Sequence, residues 1–179
     1  MDLDEDVKLM LAFQQGDERS FDTLYRRHAQ ALARYFWRST FSTSLSEELV
    51  QETFLKIHRY KAGYQPRAGF RTYLYLVARS ILLNHWKVVQ AARLELELDA
   101  EALEAERDDV DLEVARREEL RRVQAALRNL PERQASALLL VRGEGLSYEE
   151  AAQAMEMSVP ALKSLLNRAR QQLAEQVVP

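Results

Sequence analysis

The stretch that decides the fold runs from Ser147 to Arg170 and reads SYEEAAQAMEMSVPALKSLLNRAR. Ser147 with Glu150 three residues on matches a capping box, in which each side chain satisfies the other's backbone N–H and starts a helix. YEEAAQAM then gives a short helix, and the three residues EMS interrupt it. Ser158 caps a second helix, with Pro160 in the first turn, where its missing N–H breaks no bond. Two helices across a tight turn make a helix-turn-helix. In the second helix Val159, Leu162, Leu166, Ala169 and Leu173 share one face of 3.6-residue period. Lys163, Ser164, Asn167 and Arg168 fall together on the opposite face, with Arg170 at its edge, and no acid lies between Ser158 and Arg170. Lys and Arg suit phosphates or guanine, and Asn suits base edges, so this face carries the chemistry of a major-groove reader. A solvated amphipathic helix has the same pattern, and this segment alone leaves both readings open.

Outward from that stretch, composition narrows the class. A chain of 179 residues holds one ordinary domain or two small ones. With 47% hydrophobic and 30% charged residues it has a globular rather than a disordered balance. Five Gly and four Pro supply little turn chemistry for an all-β fold, while runs of Ala, Leu, Glu, Arg and Gln favour helices. The absence of Cys removes disulfides, thiolate metal sites and Cys nucleophiles. No apolar run approaches the roughly 20 residues of a membrane span. The acidic start MDLDEDVKLM differs from a secretory signal. A cytoplasmic protein without membrane insertion is the expectation.

The net charge of −3 conceals an uneven distribution. Residues 1–94 carry +4, residues 95–119 carry −9 and residues 120–179 carry +2. Between Thr53 and Leu94 there are eight Lys and Arg and no carboxylate, which is the footprint of polyanion binding.

The first block reads as helices. Asp17 and Glu18 precede SFDTLYRRHAQALARYFWR, where Phe21, Leu24, Leu32 and Tyr35 recur at helical spacing. A break at STFSTSLS comes next, and Ser44 or Ser46 is placed to cap a helix to about Tyr60. On that helix Val50, Phe54 and Ile57 form an inward stripe, and Glu48, Gln51, Glu52 and Leu55 share the far side. The loop YKAGYQPRAG, residues 60–69, is an ordered connection. Phe70 to about Val89 forms the next helix, with Phe70, Leu74, Val77, Ile81 and Val88 inward. Tyr73, Ser80, Asn84 and Lys87 lie along one flank of it, and Arg71, Tyr75, Arg79 and Trp86 along another. Aromatics among basic groups suit unstacked single-stranded bases, and they equally suit a core edge. RLELELDAEALEAERDDVDL is read as a linker with helical tendency rather than a strand. Four helices complete the chain: about Leu112 to Asn129, one opened by Pro131 and stopped by GEG, and the helix-turn-helix pair. His28, His58 and His85 lack metal spacing, and no phosphate loop or nucleophile triad is present, so an enzyme is not expected.

Four segments in order, GDERSFDTLYRRH, SEELVQETFLKIHRY, FRTYLYLVARSILLNHW and LPERQASALLLVRGEGLSYEEAAQAM with SVPALKSLLNRARQQL, resemble the extracytoplasmic-function (group four) sigma factors of bacterial RNA polymerase, in the sigma-70 family. The resemblance implies an all-α fold of two small helical domains. Residues 1–94 correspond to region two, 95–112 to an acidic linker and 113–179 to region four. It implies that Glu48, Gln51, Glu52 and Leu55 dock on the clamp helices of the polymerase β′ subunit. The Lys61–Gly69 loop and the next helix would capture unstacked minus-ten bases, with Lys61, Arg67, Tyr73, Ser80, Asn84 and Lys87 as contacts. Lys163, Ser164, Asn167, Arg168 and Arg170 would read duplex minus-thirty-five DNA. The linker would thread the RNA channel of the polymerase. Implied partners are core polymerase (β′ clamp helices and β flap), promoter DNA and an anti-sigma factor. No cofactor or metal is implied.

The chain departs from the family pattern at Ser80 (usually Asn), Asn84 (usually Asp), Val88 and Val89 (usually Arg), Glu156 (usually Gly), Ala161 (usually Thr) and Leu165 (usually Arg). A helix-turn-helix regulator that binds DNA alone and a sigma-like interaction protein without initiation activity are the rival readings.

Overall fold

Every regular element is helical in the residues that the computed structural model describes, 4–96, 122–127 and 129–177. The chain divides into two compact units, Met1–Ala105 and Glu106–Pro179.

In the first unit, helix α1 (Glu5–Gln14) starts where the Asp4 carboxylate accepts the Asp6 N–H, and acids in its first turn complement the N-terminal end of the helix. It buries Val7, Met10 and Phe13, a spacing that keeps one face inward. Gly16, at φ +107, turns the chain into α2 (Glu18–Thr40), capped by Asp17. Leu24, Leu32, Tyr35 and Phe36 of α2 are fully buried. Helix α3 (Thr43–Arg59) contributes Leu49, Val50, Phe54 and Ile57, and α4 (Phe70–Leu96) contributes Phe70, Leu74, Tyr75 and Ala78. α2 packs on α1 and α3, and α3 packs on α4. Tyr35 and Tyr75 meet edge to face at 5.3 Å. Burying each such side chain contributes about 1.5–3 kcal/mol, which is why helices of ordinary propensity hold here.

Three details differ from the sequence reading. The cap of α3 is Ser42, whose Oγ accepts the Leu45 N–H, rather than Ser44 or Ser46. The reason lies one residue earlier: Phe41 is left-handed, at φ 56, which ends α2 abruptly and leaves Ser42 extended as the first cap. Ser46 lies buried within the helix, its hydroxyl donating to Ser42 O. Helix α4 runs to Leu96 rather than Val89, and Val88 is 63% exposed instead of inward. Among the side chains described up to residue 91, the last buried one is Leu82, so the apolar period there outlasts the cover over it. Tyr75, grouped above with a surface flank, is 1% exposed.

In the second unit residues 122–127 are helical. Helix α5 (Glu132–Leu138) begins at Pro131 and widens into a π turn at Leu139–Gly143. Gly145, at φ +68, redirects the chain. The capping box then forms in full, with Glu150 N–H donating to Ser147 Oγ at 3.1 Å and Ser147 N–H to Glu150 Oε2 at 2.7 Å. It starts α6 (Tyr148–Ala154), and Ser158 precedes α7 (Val159–Val177). α5 and α6 both pack on α7, burying Leu140, Leu146, Ala151, Met155, Leu162, Leu166 and Ala169. Glu95 and Leu96 end α4, and the rest of the acidic segment, with the limits expected for the linker at 112 and 113, lies outside the described residues.

Candidate functional site

Three surfaces carry the side chains selected from the sequence. On α3, Glu48, Gln51, Glu52 and Leu55 are all exposed, Leu55 at 64%, while Leu49, Val50, Phe54 and Ile57 turn inward. The buried Thr53 hydroxyl is satisfied by Leu49 O at 2.7 Å, so the inner face has no stray polar group. An exposed leucine amid carboxylates and an amide suits a protein partner. Tyr25, 40% exposed and packed against Phe54 at 4.8 Å, extends the aromatic surface beside α3. Sequence reasoning missed it because it sits next to Leu24 of the apolar stripe.

The second surface is the 60–69 loop with α4. A 3-10 turn at Lys61–Gly63 opens the loop. The Gln14 side-chain amide donates to Lys61 O at 3.0 Å, Ala62 O at 3.1 Å and Tyr64 O at 3.1 Å. Lys61 bonds Glu18 at 3.0 Å and lies 4.1 Å from the centre of the Phe13 ring. That hydrogen bond and charge, with His58 alongside, hold the Glu18 carboxyl below its ordinary value despite some desolvation. Lys61 is thus engaged inside its own unit, though an exposed pair of this kind opens cheaply. The Arg67 guanidinium donates twice to Gln65 Oε1, at 3.1 and 2.8 Å. Tyr64 is buried and meets half-buried Tyr73 at 4.9 Å. Burial pushes the Tyr64 phenol up to about 12 and raises that of Tyr73 as well. Tyr73 is therefore a neutral, half-exposed ring at any working pH, backed by the buried Tyr64. Ser80 Oγ accepts from Lys56 Nζ at 3.0 Å and donates to Val77 O at 2.7 Å. Asn84 and Lys87 are exposed, as is Trp86 at 38%. Tyr73, Ser80, Asn84 and Lys87 line one flank of α4, as their spacing predicts. Gln14 and Lys56 were not selected from sequence, since neither spacing nor composition signals a contact so distant in the chain.

The third surface is α7. Lys163, Ser164, Asn167, Arg168 and Arg170 are all exposed, with Leu162, Leu166 and Ala169 buried behind them. Lys163 Nζ lies 5.6 Å from the centre of the Tyr148 ring. Glu156 occupies the turn at φ 53, exposed, with its N–H donating to Gln153 O at 3.0 Å. That φ is left-handed, and a residue with a Cβ there costs roughly 1–2 kcal/mol.

The histidines have structural surroundings. His28 bonds Asp6 at 2.7 Å and packs 5.3 Å from Phe70. His58 lies against Phe13 and Phe21, and His85 against Trp86. No helix among the described residues is long and apolar enough to cross a membrane.

Comparison with known proteins places the chain in a wider set. Sigma-70 region 2 matches residues 24–93, and sigma-70 region 4 matches residues 120–173. The chain is 30% identical to the ECF RNA polymerase sigma-E factor of Haemophilus influenzae, over 97% of this chain and 96% of the relative. It is 29% identical to the RNA polymerase sigma-H factor of Pseudomonas aeruginosa, over 98% and 95%. Among solved structures, CnrH in complex with the cytosolic domain of CnrY gives a TM-score of 0.73 at 24% identity, covering 96% of each chain. The sigma factor RpoE of Bartonella quintana, in complex with the anti-sigma factor NepR, gives 0.69 at 21% identity, covering 89% and 97%.

Proposed function

This chain belongs to the extracytoplasmic-function sigma factors of RNA polymerase, and on that premise we propose how its three surfaces divide the work. It is an alternative sigma factor for transcription initiation, and it acts by binding rather than by catalysis. The α3 face with Glu48, Gln51, Glu52 and Leu55 docks on the β′ clamp helices of core polymerase. The 60–69 loop with Arg67, Tyr73, Ser80, Asn84 and Lys87 takes unstacked minus-ten bases onto neutral rings and nearby cations. Lys61 joins those contacts when its pair with Glu18 opens. The α7 face reads duplex minus-thirty-five DNA, with Lys163, Arg168 and Arg170 on phosphates and Asn167 at a base edge. The second unit meets the β flap, and the acidic segment occupies the basic RNA channel. Two weak DNA contacts held on one polymerase reinforce each other through effective concentration, so neither has to be tight alone. The similar RpoE, whose structure holds the anti-sigma factor NepR, supports a comparable inhibitor for this chain, one that competes for the docking faces.

The observation that carries this reading is the presence, in one chain, of an exposed α3 face suited to docking and an exposed α7 face without acids from Ser158 to Arg170. A regulator that binds DNA alone needs the second and not the first. Run-off transcription with core polymerase tests it. Promoter-dependent transcripts support the reading. Core binding without transcripts supports a sigma-like interaction protein, which the charge and conformation of Glu156 favour. DNA binding without core binding supports a free-standing regulator.

A further inference from the structure

We infer that Gln14 is a positioning residue that sets the shape of the 60–69 loop and, through it, which base the loop accepts. The inference rests on the proposed role of that loop in capturing minus-ten DNA. Gln14 is the last residue of α1 and lies 47 to 50 residues from the groups it binds. Three carbonyls, of Lys61, Ala62 and Tyr64, converge on its Nε2 at 3.0–3.1 Å. A side-chain amide has two N–H donors, so three acceptors must share them and are drawn toward one point. Lys61 O already accepts the Tyr64 N–H that closes the 3-10 turn. The other two have no helical ladder to use, because the chain leaves the turn at Tyr64 in an extended conformation, φ −65 and ψ 132.

That exit direction aims the remainder of the loop. It tucks the Tyr64 ring against Tyr73 and delivers Gln65, Pro66 and Arg67 to the surface, all three exposed. Pro66 has a fixed φ, and Arg67 is pinned on Gln65, so the tip has little freedom of its own. Its placement is inherited from the turn, and the turn is held by Gln14. The pair of Lys61 with Glu18 also grips the turn, but both groups are charged and Glu18 is exposed, so solvent competes with it. Gln14 is half-buried and acts on the backbone itself.

The chemistry makes a sharp substitution available. Gln14→Glu keeps the shape and exchanges the donor for a carboxylate aimed at three carbonyl oxygens, which repels them. Gln14→Met keeps the volume and removes the donor without repulsion. The full-length variants are assembled on core polymerase and titrated with four single-stranded minus-ten oligonucleotides differing at one captured base. Gln14→Glu is expected to weaken the preferred oligonucleotide about tenfold and to compress the base preference, with Gln14→Met intermediate. Core affinity stays within experimental scatter, since α3 is not touched, and the tryptophan-monitored melt falls by a few degrees at most, leaving the variants folded at the assay temperature. A compressed preference is the deciding readout, because a merely structural role would lower binding to all four oligonucleotides alike. An unchanged preference, or a loss of core affinity in parallel, overturns the inference. A double Gln65→Ala, Arg67→Ala variant separates the two levels. If it weakens capture while both Gln14 variants do not, the inference alone fails. If none of them affects capture, the loop does not hold DNA, and the inference falls with the reading beneath it.

Discussion

The 60–69 loop with α4 and the exposed face of α7, the two surfaces proposed for nucleic acid, are built in opposite ways. In the first, most polar groups already have partners: Lys61 on Glu18, Arg67 on Gln65, Ser80 on Lys56, and the loop backbone on Gln14. In the second, five polar side chains project from one regular helix into solvent. A surface whose groups are fixed beforehand loses little entropy on binding and discriminates by shape. A row of exposed cations adapts to a regular phosphate backbone and carries most of its energy as salt-dependent attraction. The difference fits the targets proposed for the two surfaces. An unstacked base has to fit a particular recess, whereas a duplex presents the same groove and phosphate geometry everywhere.

The contrast breaks most visibly if the prearranged surface loses its support. Phe13 is fully buried, stacks on Phe21 at 4.5 Å and underlies Lys61. Phe13→Ala is expected to destabilise the first unit by about 3–5 kcal/mol. Both tryptophans, Trp37 and Trp86, lie in that unit, so their fluorescence melt reports it alone. Duplex binding through α7 should persist at temperatures where minus-ten capture is gone. Parallel loss of both activities would remove the distinction between the two regions.

Within α7 the cations and the amide should differ in kind. Lys163→Ala is expected to weaken duplex binding on every sequence and to lower the salt slope by about one. Asn167→Ala should relax preference at a single base pair, by roughly 1–3 kcal/mol if the contact is bidentate. Salt-titrated binding to matched and scrambled minus-thirty-five duplexes measures both. Identical effects on all sequences would reduce the face to undirected electrostatics.

Glu156 allows a smaller test of the same surface. Glycine tolerates φ 53 without the Cβ penalty, so Glu156→Gly should stabilise the second unit by about 1 kcal/mol. Removing the carboxylate should also raise duplex affinity, more at low salt than at high. Circular dichroism melts and the duplex titration report the two effects separately. Tighter binding with no gain in stability would show that charge, not backbone strain, is what this residue contributes.

How much of the molecule is legible in its sequence depends on the range of the interactions. The Ser147–Glu150 capping box and the inward faces of α2 and α7 depend on residues three or four apart, and the periodicity displays them. The cap at Ser42 escapes the sequence because it depends on a left-handed Phe41, which no turn residue announces. Val88 fits the apolar period of α4 but lies beyond Leu82, and periodicity cannot tell where a helix outgrows its cover. On the loop surface, residue types suggest nucleic acid, but Gln14 and Lys56 reach it from 24 to 50 positions away. One sequence without tertiary contacts contains no signal for those bonds. The α7 face, a single helix, is correspondingly the most readable.

The smallest expected effect concerns pH, and it should appear in the first unit alone. Asp6 on α1 faces Arg27 and His28 on α2, at 2.7 Å each, and Arg27 also reaches Glu5 at 3.3 Å. Burial tends to raise the Asp6 carboxyl, but hydrogen bonds and charge from Arg27 and His28 outweigh it and hold the group below its ordinary value. A carboxylate whose folded-state pKa is lowered adds stability that is fully present above the pKa of the unfolded chain. That contribution disappears as pH falls through the lower, folded value, so the loss begins below about pH 4. Asp6→Asn keeps the shape and cannot ionise. At neutral pH it should be slightly less stable than the parent by urea denaturation followed through the tryptophans. The gap should be present at mildly acid pH and close below about pH 4, because protonation makes the parent resemble the variant. A gap that persists at acid pH would assign the effect to lost packing or hydrogen-bond geometry instead of charge. The unfolding transition of the second unit, which contains none of these four groups, should not distinguish the two proteins at any pH.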